Sequence, residues 1–296
     1  MLKMIRLIKL FTFATLGSVS ALLSTTSKVQ AITIIRNFTG GSSPINATGG
    51  GNLVDVFNAA ADLWEKAILD DHTLTINYSW TPLSRFLGTY SPRRRGGIPS
   101  RDIEGIIRFD NDGSSRWFLD PTPNQNEEYL AFTEFTQNLG GGDVNTGRIY
   151  SNAVGDAIGR FDLFTVALHE IGHGLGILNS GSGFRADTRF DNDIDVETPR
   201  PFSGTEIPTT TLNGGHINIS TAVMWPFIPS SGRKILSAVD ILGSGETSEF
   251  NNLNLNPQQT PPSPRPIPEP SSTLGFLAFS AFGVGSVLKR KQEPEA

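Results

Sequence analysis

Two histidines and a glutamate occur as His169-Glu170-Ile171-Gly172-His173. Positions i and i+4 of a helix lie on one face, about one turn apart. Imidazoles so placed can bind one metal ion, and Glu170 is carried beside it without being forced to ligate. The chain has no cysteine and only four histidines, His72, His169, His173 and His216. Thiolate ligands, disulfides and a cysteine nucleophile are excluded, so any metal must use His, Asp, Glu or backbone oxygen.

The chemistry requires a helix, and the flanking residues predict one. Asp162 can cap a helix starting at Leu163, and Phe164, Val166, Ala167, Leu168, Ile171 and Leu175 supply apolar contacts. Gly172, Gly174 and Gly176 are expected to loosen its far end. Buried imidazoles are costly without a partner, and a metal supplies one.

The remaining elements follow from periodicity. Ile32 to Asn37 reads as a first strand and Leu53 to Leu69 as a helix with Phe57 and Trp64 in the core. His72 to Trp80 alternates as a strand, with His72 at its exposed start. Ser84 to Arg101, including Arg93-Arg94-Arg95, reads as a loop. Gly105 to Phe109 and Arg116 to Leu119 read as a hairpin about the turn Asp110-Asn111-Asp112-Gly113. Pro121 to Gly142 is mostly polar, and Gly147 to Val154 forms a further short strand. Asp187, Asp191, Asp193 and Asp195 suggest either a calcium site or an acidic surface loop. Ser237 is placed to cap a last helix cut short by Gly243 and Gly245.

The two ends read as processing segments. Met1 to Ala31 has the basic start, the apolar run Leu10 to Leu23 and the small-residue site Val29-Gln30-Ala31 of a secretory signal peptide. Pro268-Glu269-Pro270, the apolar Leu274 to Leu288 and Lys289-Arg290-Lys291 resemble a PEP-CTERM sorting signal. That resemblance implies a bacterial protein exported through the inner membrane. It also implies transient membrane association, sorting by an exosortase-type enzyme, and delivery to the cell surface or matrix. The chain has 24 basic and 29 acidic residues. The two ends remove seven basic and two acidic ones, which leaves a net charge of −10 on the body. Such a body is not a nucleic-acid binder. The expected organisation is a signal peptide over 1–31, a catalytic domain over 32–250, a Pro-rich linker over 251–267 and the sorting signal over 268–291.

His169-Glu170-Ile171-Gly172-His173-Gly174-Leu175-Gly176 is the zinc-peptidase pattern, and its extension to Gly176 resembles the metzincin peptidases. The metzincin pattern puts a His or Asp third ligand where this chain has Asn179. His216 stands instead shortly before Met224 in Ala222-Val223-Met224-Trp225-Pro226. This resembles the leishmanolysin-like branch, in which an insertion precedes the third histidine and a methionine turn follows it. The resemblance implies an α+β, zincin/metzincin-like domain. Its twisted mixed sheet packs on the active-site helix, and its C-terminal subdomain is smaller and irregular. It implies Zn2+ held by His169, His173 and His216, Met224 beneath the metal, and an edge strand that pairs with substrate. Gly147 to Val154 and Arg116 to Leu119 are both open as that strand. The implied activity is a zinc-dependent endopeptidase cleaving protein or peptide substrate with metal-activated water, Glu170 being the general base. A non-catalytic matrix or surface protein on the same fold is the alternative, supported by Asn179 and the short last helix.

Overall fold

The computed structural model describes residues 31–198, 202–210, 212 and 215–258. Residues 1–30 of the expected signal peptide and the expected sorting signal at 268–291 lie outside the described residues. The elements run β1 (Thr33–Phe38), α1 (Leu53–Ala67), β2 (Thr73–Thr81), β3 (Gly88–Gly96), β4 (Arg101–Asp110) and β5 (Trp117–Phe118). Then come β6 (Tyr129–Asn138), β7 (Asp143–Ala153), β8 (Phe161–Asp162), α2 (Leu163–Gly174) and α3 (Ser182–Thr188). The chain continues through β9 (Asp193–Val196), β10 (Thr205–Thr210), β11 (His216–Ile217), β12 (Arg233–Ile235) and α4 (Ala238–Ser248). Helices and sheets are mixed along the chain, which makes the fold α+β.

The principal sheet has the order β1-β2-β4-β3. β1, β2 and β4 are mutually parallel, and β3 adds antiparallel to β4 at the edge. Leu74, Ile76 and Tyr78 of β2 and Ile107 and Phe109 of β4 are buried against the helices. α1 supplies Val56, Phe57, Ala60 and Trp64 to the same core, and Phe57 stacks on Tyr78 with ring centroids 3.9 Å apart. Trp64 then reaches α2, its indole N–H donating to the Leu168 carbonyl at 3.0 Å. A fully buried indole requires such an acceptor, and this bond fixes the two helices side by side.

A second core, with Ile177, Phe184, Ile194, Ile207, Ile217 and Met224, lies between α3, α4 and the small sheet β11-β10-β9. α4 begins at Ser237 with a capping box, Ser237 and Asp240 bonding reciprocally. It does not stop at Gly243 but continues to Ser248 with most of its residues buried. The missing side chains let Ile177, Ile194 and Ile217 pack closely on Gly243, so tertiary packing outweighs the low helix propensity of glycine there.

Two expectations need correction. The stretch 84–101 is not a loop but carries β3, whose alternation is interrupted by irregular pairing between Pro92 and Arg95. Gly105–Phe109 and Arg116–Leu119 do not form a hairpin: β4 pairs with β2 and β3, and β5 pairs in parallel with β8. The buried Asp110 accepts the N–H groups of Leu83 and Asp112, which turns the chain away from the sheet. The polar stretch 121–142 contains β6, which pairs with β7 at an exposed sheet edge and so has no apolar face to announce it. At the far end, residues 251–258 lie against the core, with Asn251 and Asn252 donating to Asp70 and Asn254 to the Ala67 carbonyl.

Arg233 is fully buried between two fully buried carboxylates, Asp120 at 2.5 Å and Asp162 at 2.9 Å. Asp162 is also the N-cap of α2, accepting from Thr165, so this cluster ties β12 to the start of the helix. Arg233→Met leaves two carboxylates facing each other without a cation and is expected to cost about 3–5 kcal/mol. Arg94→Met, which breaks the exposed pair with Glu104, is expected to cost less than about 1 kcal/mol. Urea denaturation of both variants checks the contrast.

Candidate metal centre

α2 is buried along its whole length. It does not fray at its glycines. At Gly172 an added Cβ would collide with the Met224 thioether and press on Trp64, so glycine here lets two other elements approach the helix. Gly176, at φ +120°, turns the chain back after α2. That turn delivers the Ile177 carbonyl to the Nδ1 of His173 at 2.6 Å.

The same construction recurs at the other two imidazoles. His169 Nδ1 lies 2.8 Å from the Val223 carbonyl, and His216 Nδ1 lies 2.7 Å from the Leu212 carbonyl. A carbonyl can only accept, so each Nδ1 carries the proton and each Nε2 keeps its lone pair. The three rings meet with centroids 4.8–5.0 Å apart. One ligand nitrogen from each lies within 4.8 Å of the others. His169 Nε2 and His216 Nε2 are only 3.2 Å apart.

That contact is repulsive unless a cation or proton lies between the nitrogens. Protonation is disfavoured at all three rings. Burial and the neighbouring imidazoles hold His169 well below the usual range. Burial first, then His216, pushes His173 down to about 3, and burial pushes His216 down to about 4. The donor set therefore fits a divalent cation. Two nitrogens bound to a tetrahedral zinc at about 2.0–2.1 Å would sit roughly 3.3–3.4 Å apart.

Glu170 lies beside this cluster and is buried, and its Oε2 has no hydrogen-bond partner. Desolvation raises its pKa to about 8. Gly88 of β3 packs directly on it: a Cβ there would stand 2.7 Å from Glu170 Oε1. The cluster opens into a cleft of about 430 Å³ walled by Phe161, Leu178, Phe227, Ile228 and residues 85–90. β3 borders the cleft through Gly88, Thr89 and Tyr90, whereas no residue of 147–154 or 116–119 lines it. Among the described residues, β3 pairs with β4 on one side only. Tyr90 also lines the cleft, but its hydroxyl donates to Asp102 at 2.9 Å.

Met224 is fully buried beneath α2 at Gly172. Asn179 packs beside Gly215, next to His216. His72 stands apart, bonded to the Asp102 carbonyl at 2.9 Å. Asp191, Asp193 and Asp195 bring carboxylate oxygens within 4.8 Å of one another at the surface, away from the histidines, and Asp187 is outside that group. Sequence reasoning missed Gly88, because a glycine in an apparent loop signals only a turn. No family model and no curated protein matches the chain.

Linkage fixes the pH response of the metal-free protein. The histidines are neutral when folded but protonate near pH 6.5 when unfolded. The stability they contribute is complete above that value and is lost as the pH falls. Glu170 acts oppositely: its contribution is complete below its ordinary value of 4.5 and is lost as the pH rises through about 8. The metal-free melting temperature is therefore expected to fall as the pH is lowered from about 6.5 towards 4, with a shallower fall in His216→Asn. Calorimetry after chelation checks this.

Proposed function

We propose that the protein is a zinc-dependent endopeptidase of metzincin-like architecture, delivered to the cell surface or extracellular matrix. The observation that carries this reading is the convergence of three unprotonated Nε2 atoms beside a buried, unpartnered carboxylate oxygen in an open cleft. Met224 beneath the helix and the long insertion before His216 support the leishmanolysin-like comparison. The terminal signals support export.

His169, His173 and His216 would hold the metal at the floor of the cleft. Zinc bound there supplies Lewis acidity and a water that ionises near neutral pH. Glu170 supplies the base. A cation at the three nitrogens favours its ionised form against the desolvation that raises it. Its free Oε2 can take a proton and return it to the leaving amine. The free edge of β3 offers backbone N–H and C=O groups to an extended peptide, which β-strand addition would hold across the cleft. Phe161, Leu178 and Ile228 give the cleft an apolar wall. Tyr90 supplies no oxyanion donor, since its hydroxyl is committed to Asp102.

Glu170→Gln is expected to keep one zinc per chain and to lower peptide hydrolysis by about 10²–10⁴-fold. His216→Ala is expected to lose the zinc, and Asn179→Ala to keep it. Zinc content by atomic absorption and cleavage of a denatured protein substrate test the set. Undiminished hydrolysis in Glu170→Gln would sink the assignment. Zinc bound without any hydrolysis by the unaltered protein would favour the non-catalytic matrix protein.

A further inference from the structure

His173 and His216 each find their carbonyl four residues away in the chain, at Ile177 and Leu212. His169 does not. Its acceptor is Val223, 54 residues away, in the loop that also carries Met224. The orientation of His169 therefore depends on how that loop is held against α2, and two buried charges hold it.

The Ala222–Val223 peptide is gripped at both ends. Its carbonyl accepts from Lys234 Nζ at 3.0 Å, and its N–H donates to Asp240 Oδ2 at 3.2 Å. The next peptide, Val223–Met224, donates its N–H to Asp240 Oδ1 at 2.9 Å and accepts the His169 Nδ1–H on its carbonyl. Lys234 Nζ also holds the Ser220 carbonyl at 2.7 Å. Its backbone N–H donates to Thr165 Oγ1 at 2.9 Å, one helical turn before His169 on the same face of α2. Lys234 is only 2% exposed and Asp240 is fully buried. A buried ammonium costs several kcal/mol of desolvation unless it is paired and hydrogen-bonded. Here it is spent on the carbonyls of a single loop.

We propose that Lys234 is the positioning residue of His169: its side chain fixes the loop carbonyls while its backbone fixes the helix, so the Val223 carbonyl meets Nδ1 and Nε2 faces the metal. Asp240 is the other half of the clamp, and the two charges compensate each other across the peptide they share. The inference rests on the zinc reading of the histidine cluster. Its geometric part concerns the metal-free protein and is tested separately.

The test uses Lys234→Met and the milder Lys234→Gln, which retains a neutral donor, in the full-length protein. In the metal-free state, the His169 Nδ1–H proton resonance should shift or broaden while that of His173, held locally by Ile177, stays in place. Zinc affinity, measured by competition with a chelating dye, should fall about 10–100-fold in Lys234→Met, the usual cost of losing a group that orients a ligand, and less in Lys234→Gln. If Lys234→Met does not fold, Lys234→Gln carries the same comparison. The proposal is overturned if both histidine resonances move together, if neither moves, or if zinc affinity is unchanged while only the melting temperature drops. Failure of the unaltered protein to bind zinc overturns the zinc reading alone. A selective shift at His169 in the metal-free protein would still establish the clamp as structure.

Discussion

The hydrogen bond from each imidazole Nδ1–H to a backbone carbonyl is the interaction on which the site depends. It fixes the tautomer, and with it the direction of the Nε2 lone pair. Repeated three times around one point, it produces a set of facing acceptors for which the described residues show no side-chain donor. Burial then removes the alternative of protonation. A cluster built this way is unfavourable by itself, and its persistence requires that the surrounding fold over-determine it.

Much of the fold serves that end. α1 fixes the helix from one side through Trp64, and Arg233 with Asp120 and Asp162 fixes its start. Gly172 lets Met224 press against the helix from below, so the loop bearing the Val223 carbonyl cannot drift from His169. Gly88 brings the edge strand onto Glu170 from above. The small sheet and α4 place His216, which stands far from the motif in sequence, against the other two rings. Core packing of Ile177, Ile194 and Ile217 thereby becomes a condition for the chemistry, since Ile217 follows His216 in β11 and anchors that strand in the second core.

Those parts of the fold with an apolar face were legible in the residues. α1, β2 and α2 announce themselves through periodicity, and both the Asp162 cap and the Ser237 capping box lie where their side chains predict. β3 and β6 were not legible. Each lies at a sheet edge with exposed positions, and Pro92 and the arginines of β3 read as loop chemistry. The glycines of α2 and α4 suggested weak helices because propensity is local, whereas the contacts that favour them are tertiary. The site divides in the same way. The motif histidines follow from spacing, and His216 follows from the scarcity of other histidines and from a family resemblance. The clamp on the Val223 loop joins residues from β12 and α4 and leaves no pattern in the chain.

Three histidine nitrogens are held to face one cation. X-ray absorption at the zinc edge of the zinc-loaded protein tests it most directly. The account predicts one zinc per chain with three imidazole nitrogens at about 2.0–2.1 Å and one further light-atom ligand. A shell with two imidazoles, or one completed by carboxylates in place of the third ring, would contradict it.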